Sequence, residues 1–287
     1  MLPWYGWAML SALFSATFFI VRKKGLFSEN SESFEATRGL FQAGLMLLIV
    51  PFLNFQFPLW LVGMLYIYSI IIVAGILCLS KALRAGELSE IAPLMNMLPV
   101  FLLFWGMLFL DEHLSTMQLG GIGLLMGGAY MLEVKKFRDI LSPFRLVKSP
   151  YFLLLVFSMI LLSFTAATEK WVLNLYSSPI ELLFWAWLFV GINLNMYAAI
   201  VNGGFGYLAS TVQHTRFLPA LVALLSLGSV FCALTAVSMA YVSLVVPVQR
   251  MSTLLSTIVG GELFHEHHLL TKTMACSVML VGVYLIL

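Results

Sequence analysis

The chain reads as a succession of long apolar runs separated by short polar ones. Apolar residues dominate Pro3 to Val21, Phe34 to Leu53, Leu59 to Leu83, Leu88 to Leu110 and Thr116 to Glu133. They do so again over Tyr151 to Val172, Pro179 to Val201, Phe217 to Ala240, Val242 to Phe264 and Leu270 to Leu287. A helix rises about 1.5 Å per residue and the hydrocarbon core of a bilayer is about 30 Å thick, so a crossing needs roughly 20 mostly apolar residues. The runs approach or reach that length, and none shows the alternation of a barrel strand. The pattern predicts an all-α integral membrane protein with ten transmembrane helices. Between the runs, Lys135 to Pro150 and Asn202 to Arg216 are the longest stretches, and both read as loops.

The runs repeat. At a constant offset of 154 positions, Cys78 falls on Cys232, Ala82 on Ala236, Ser89 on Ser243, Pro93 on Pro247 and Gly106 on Gly260. Further on, Glu112 falls on Glu266, His113 on His267, Gly128 on Gly282 and Tyr130 on Tyr284. Coincidence is common for Leu or Ala, but not for paired Pro, Glu, His and Tyr in one register. Each copy holds an odd number of crossings, so the second must enter the membrane from the opposite side. The expectation is two inverted five-helix repeats, residues 1–134 and 151–287, joined by a basic connecting loop at 135–150. Inverted repeats meet at a pseudo-twofold axis, with the solute site between them near mid-depth and alternating access by rocking one against the other.

Composition and charge narrow the picture. At 61% hydrophobic and 10% charged residues, lipid rather than water is the main solvent. Nearly all Lys and Arg, including Arg22, Lys23, Lys24, Arg38 and the 135–150 loop, lie beside loops that follow odd-numbered helices. Lys170 lies toward the opposite side. The positive-inside rule then makes the odd loops cytoplasmic and puts both termini outside. The run from Pro3 lacks a basic segment before it and has one after it, the reverse of a signal peptide, so a retained first helix is expected. Cys78, Cys232 and Cys276 fall inside apolar runs, where no disulfide is expected. Nothing reads as a nucleic-acid footprint.

Ala92-Pro93 through Leu110-Asp111-Glu112-His113-Leu114-Ser115, followed by a glycine-rich helix ending Gly127-Gly128-Ala129-Tyr130, resembles the EamA domain of the drug/metabolite transporter superfamily, and the match recurs around Pro247 and Glu266. The resemblance implies ten helices in two inverted repeats and the transport of solutes such as amino acids, drugs, nucleotide sugars or phosphorylated sugars. Many members are thought to keep both termini in the cytoplasm, against the charge count here. Pro247-Val248-Gln249-Arg250-Met251-Ser252 also looks like the ninth helix of the plastid phosphate translocators. Gln249 stands where that branch has Lys, and Met95 where it has another phosphate-binding Lys. The missing cations point away from a phosphate ester and toward a monoanion or zwitterion.

Arg250 lies well inside the ninth run with no acid within one helical turn. A lone cation at membrane depth is costly, so it either faces a cavity and binds an anionic group or snorkels or pairs across helices. Gln249 and Ser252 flank it, and Asn96 is its counterpart under the 154 offset. Pro93, Pro99 and Pro247 remove backbone donors and are expected to break helices beside a polar cavity or to kink them for packing. Lys170, Gln42 and Asn193 are further candidates with a structural reading beside each, and Trp185 and Trp187 lie deep enough to line a cavity. Glu35 and Arg38 are expected to pair. Glu112 and Glu266, recurring at one loop of each copy, suggest a structural or gating role. His265, Glu266, His267 and His268 lack the spacing of a metal site on one helix face. Ser115 and Gln118 form a capping box. Gly120, Gly121, Gly123, Gly127 and Gly128 suit a close helix seam within the chain or across a dimer. Trp4, Tyr5, Trp7, Trp60 and Trp171 read as interfacial anchors.

The expected protein is a secondary carrier or exporter of a small polar or amphipathic metabolite, anionic or zwitterionic, such as an amino acid or organic anion. A flippase for a lipid-linked sugar is the alternative. No metal, cofactor, ATP site or enzymatic activity is expected, and no carboxylate at the centre of a run offers proton coupling. The setting is a bacterial inner membrane, and the chain a monomer or homodimer.

Overall fold

A computed structural model of the chain describes residues 2–28, 31–85, 94–133, 150–255 and 269–287. Among the described residues every regular element is helical: α1 (Trp4–Ser28), α2 (Ser31–Ile49), α3 (Leu59–Ala85), α4 (Leu98–Phe109), α5 (Thr116–Glu133), α6 (Pro150–Tyr176), α7 (Pro179–Val201), α8 (Gly206–Thr215), α9 (Leu218–Met239), α10 (Val242–Gln249) and α11 (Leu269–Ile286). Segments of α1, α3, α6, α7 and α9 are each long and apolar enough to span a bilayer unaided. Leu47, Leu48, Ile67, Phe104, Leu153 and Ile200 are exposed on the outer faces, as lipid-facing side chains should be, and Trp60 and Trp171 are exposed near helix ends.

Two expected helices agree with the structure end to end, α5 and α7, and both carry strong start signals. Before α5 the capping box closes, with the Gln118 N–H donating to Ser115 Oγ at 3.2 Å and the Ser115 N–H to Gln118 Oε1 at 3.0 Å. Pro179 opens α7, where its missing donor costs nothing. The stretch Asn202 to Arg216, expected as a loop, instead contains α8. Its few apolar residues hid it, yet Tyr207, Thr211 and Thr215 recur at helical spacing and are buried. The Tyr207 hydroxyl donates to Asn195 Oδ1 at 2.8 Å and pins α8 to α7.

The fourth and ninth runs, each expected as one crossing broken or kinked at its prolines, are interrupted. α10 has eight residues including Pro247, stops at Arg250, and helix resumes over 251–255. The Arg250 N–H reaches back only three residues, to the Pro247 carbonyl at 3.0 Å, the tighter winding typical of helix breaks. Residues 96–97 form a turn before α4, and the Met97 N–H bonds the Leu94 carbonyl in the same three-residue manner. Pro99 is buried in the first turn of α4 and starts that helix. Pro93 lies outside the described residues.

α5 runs along α11 and α2 along α7, while α1 packs on α9 and α3 on α6. α4 meets α6 as α1 meets α10, and α3 touches α7 as α2 touches α9. The glycine stripe on α5 divides. Gly121 lies against Gly282, and Gly128 against Ala275 and Met279 of α11, so these two form an intrachain seam, whereas Gly120, Gly123 and Gly127 have nothing within 4 Å of an added Cβ. Gly39 and Gly191 bring the backbones of α2 and α7 together in the same way. The largest core joins α1, α3, α5 to α7 and α9 to α11 through residues such as Leu61, Leu65, Leu125, Leu182, Leu234 and Val245.

Candidate functional site

The interruption in the ninth run leaves Arg250 half-buried at the end of α10. Among the described residues its guanidinium has no hydrogen-bond or ion-pair partner. Beside it, Gln249 Nε2 donates to Ser11 Oγ of α1 at 3.2 Å, and Ser252 is buried. Asn96, in the turn before α4, is 4% exposed. Its Nδ2 donates to the Ala129 carbonyl of α5 at 3.3 Å, and its Oδ1 lies 3.5 Å from the Thr253 hydroxyl. Asn96 therefore bridges α5 to the segment resuming after Arg250, which brings the two matched breaks onto neighbouring elements.

Other expected residues resolve into structural partners. The Lys170 ammonium donates to the Val237 carbonyl at 2.8 Å, within electrostatic reach of Glu112. Asn193 donates to Ser69 Oγ at 2.8 Å and ties α7 to α3. Gln42 Nε2 donates to Ser226 Oγ at 2.6 Å, while its buried Oε1 has no partner among the described residues. Trp185 packs among Phe55, Phe184 and Phe189, with its indole N–H buried and likewise unpartnered among the described residues. Glu112, 2% exposed, accepts the Val242 and Ser243 N–H groups at 2.7 and 3.2 Å and caps α10. An anionic cap there satisfies donors that the helix cannot and matches its dipole. Glu266 and the neighbouring histidines lie outside the described residues. Cys78, Cys232 and Cys276 form no disulfide among the described residues.

A cavity of about 220 Å³ opens between α1, α2, α3, α7 and α9, lined by Ser15, Phe18, Arg22, Arg38, Trp187 and Ser229 among others. Glu35, 1% exposed, pairs as expected with Arg38 at 2.7 Å, but also with Arg22 at 2.6 Å. Sequence reasoning missed Arg22 as a site residue because a cation at the end of a run looks like a topology signal. The carboxylate thirteen residues on was the clue. A second miss follows from a helix boundary. α6 continues to Tyr176 instead of ending near Val172, so Glu169 sits two turns inside it. Its Oε1 accepts the Tyr68 hydroxyl of α3 at 2.5 Å, placing a carboxyl deeper in the span than an end near Val172 implied.

Long apolar helices in mutual contact make the chain an integral, multi-pass membrane protein. Residues 2–134 match the model of the EamA-like transporter family, a family that belongs to the drug/metabolite transporter superfamily. A Sinorhizobium sp. protein described as "Uncharacterized transporter in cobO 3'region" is 29% identical over 136 residues, covering 46% of this chain and 96% of that relative. A solved crystal structure that is 12% identical covers 99% of this chain and 96% of its own, with a TM-score of 0.72. It shares the fold.

Proposed function

We propose that the protein is a secondary carrier for a small anionic or zwitterionic metabolite, working by alternating access between two inverted five-helix repeats. The observation that carries the anion is Arg250. A cation at the open end of a broken membrane helix, without a partner among the described residues, is stabilised by a ligand that brings the missing charge. Gln249, Ser252 and Asn96 surround the break with hydrogen-bonding groups.

The helix pairing supports the repeat. Exchanging α1 with α6, α2 with α7, α3 with α9, α4 with α10 and α5 with α11 turns the α1–α9 packing into α6–α3, and α4–α6 into α10–α1, while α2–α7 and α5–α11 return themselves. The seam glycines obey the same exchange, because the Gly121–Gly282 approach maps onto Gly128–Ala275 under the 154 offset. By the charge rule both termini lie outside, and the membrane proposed for the chain is a bacterial inner membrane.

The test is a thermal-shift screen of purified protein against carboxylates, amino acids, phosphate esters and organic cations, with each stabilising compound then offered to proteoliposomes. The expected result is uptake of a monoanion or zwitterion that Arg250→Gln abolishes while the variant still inserts and purifies. Uptake unchanged by the substitution overturns the role of Arg250. Movement of a fluorescent lipid in place of any soluble compound makes the protein a flippase.

A further inference from the structure

We infer that the cavity bounded by Arg22 and Arg38 is a loading site for amphipathic organic monoanions, distinct from Arg250 and joined to it by a polar track. The inference rests on the carrier reading above. Charge comes first. Two guanidinium groups share the single Glu35 carboxylate, Arg38 is 3% exposed and Glu35 1%, so the cluster retains one positive charge in a desolvated wall. A structural clamp between α1 and α2 needs one arginine, and a second cation with no carboxylate of its own among the described residues is a penalty that a bound anion removes.

Donor geometry comes next. Arg22 engages Glu35 Oε1 through Nε and Nη2, and Arg38 engages Oε2 through the same two nitrogens. A guanidinium carries five N–H donors, so each retains donors beyond its Glu35 contacts, the fork that suits a carboxylate. Arg22 is also held over the Phe18 ring, with its Cζ 5.6 Å from the centroid. The remaining wall divides by polarity. Ser15 and Ser229 offer hydroxyls, while Trp187, Phe19 and Leu79 are apolar, which selects a ligand with one charged end and a greasy body.

The track begins at that wall. Ser15 Oγ lies 2.7 Å from Ser229 Oγ, which lies 3.2 Å from Ser11 Oγ, which accepts from Gln249 Nε2. Gln249 adjoins Arg250 in sequence. Four polar side chains thus link the cavity to the helix break across the packed α1–α9 seam, a row of hydrogen-bonding groups that an anionic group meets when that seam opens.

A cysteine experiment tests the site without knowing the solute. Ser15→Cys, and separately Val230→Cys, are placed in a background lacking the three native cysteines and reconstituted in nanodiscs of zwitterionic lipid. Reaction rates are compared for an anionic sulfonatoethyl and a cationic trimethylammonioethyl methanethiosulfonate. The expected result is a preference for the anionic reagent over that shown by a free thiol, reduced on the order of tenfold by Arg22→Gln and retained in Arg22→Lys. 4-Phenylbutyrate should slow labelling, and inclusion of phosphatidylglycerol should not. Equal rates for both reagents, no labelling at either position, or a preference untouched by Arg22→Gln overturns the inference. Protection by the anionic lipid alone assigns the charge to a lipid headgroup and overturns a solute site. Because these rates need no transport, their failure leaves the carrier reading to its own uptake assay.

Discussion

Glu112 reaches α10 only because residue 106 is glycine. A Cβ at Gly106 would sit 2.6 Å from Ser243 Oγ and 2.7 Å from Glu112 Oε2, so the space the carboxylate occupies is made by a missing side chain. Glu112→Ala leaves the Val242 and Ser243 N–H groups without this acceptor and is expected to cost about 1 to 2 kcal/mol. Glu112→Gln keeps an acceptor and should cost less. Melting temperatures of purified variants rank the three proteins, and a drop as large for Gln as for Ala would deny the capping role. The recurrence of Glu112 as Glu266 was readable in sequence, but its partner was not. Val242 is 130 residues away, and only packing brings it near. The Ser11–Ser229 pair and the Tyr68–Glu169 pair were hidden for the same reason. By contrast Ser115 with Gln118, and Glu35 with Arg38, were legible because both partners lie within one helical turn.

Helices were legible wherever apolar length and a start signal agreed, as for α5 and α7. α8 escaped because its buried face is made of Tyr207, Thr211 and Thr215 rather than aliphatic residues. The interruptions were foreseen in kind from the prolines, though not in extent. Seams between helices depend on which glycines face a neighbour, and here substitutions separate cleanly. Gly191→Ala drives a methyl into the Gly39 backbone and should destabilise by about 1 to 3 kcal/mol through overpacking. Gly120→Ala meets nothing within 4 Å and should be neutral or stabilising by up to about 1 kcal/mol through helix propensity. Thermal denaturation in one detergent compares them directly, and parallel losses would mean that α2 and α7 do not approach as closely as the structure has them.

At the scale of the whole molecule, the proposed exchange of repeats divides interfaces into two kinds. The α5–α11 and α2–α7 seams map onto themselves and can stay fixed while the repeats trade conformations. The α1–α9 and α3–α6 packings map onto each other, so one must open as the other closes. Oxidising a cysteine pair placed across the α5–α11 seam at positions that already carry side chains, not at its glycines, should therefore leave uptake largely intact, whereas a Ser11→Cys, Ser229→Cys pair should block it until reduced. Transport that survives the second cross-link would contradict rocking about these seams.

The shortness of α10 bears on how the protein is made. Eight residues rise only about 12 Å, and the break at Arg250 parts them from the helix that resumes at 251, so the first half of this crossing is not held by its own length. The nascent segment must wait for Glu112, synthesised long before it, to receive its free amides. Assembly of the later half is thus templated by the earlier one. A fragment starting at Pro150 should be degraded when expressed alone and accumulate when residues 1–149 are supplied in trans, with the rescue weakened by Glu112→Ala.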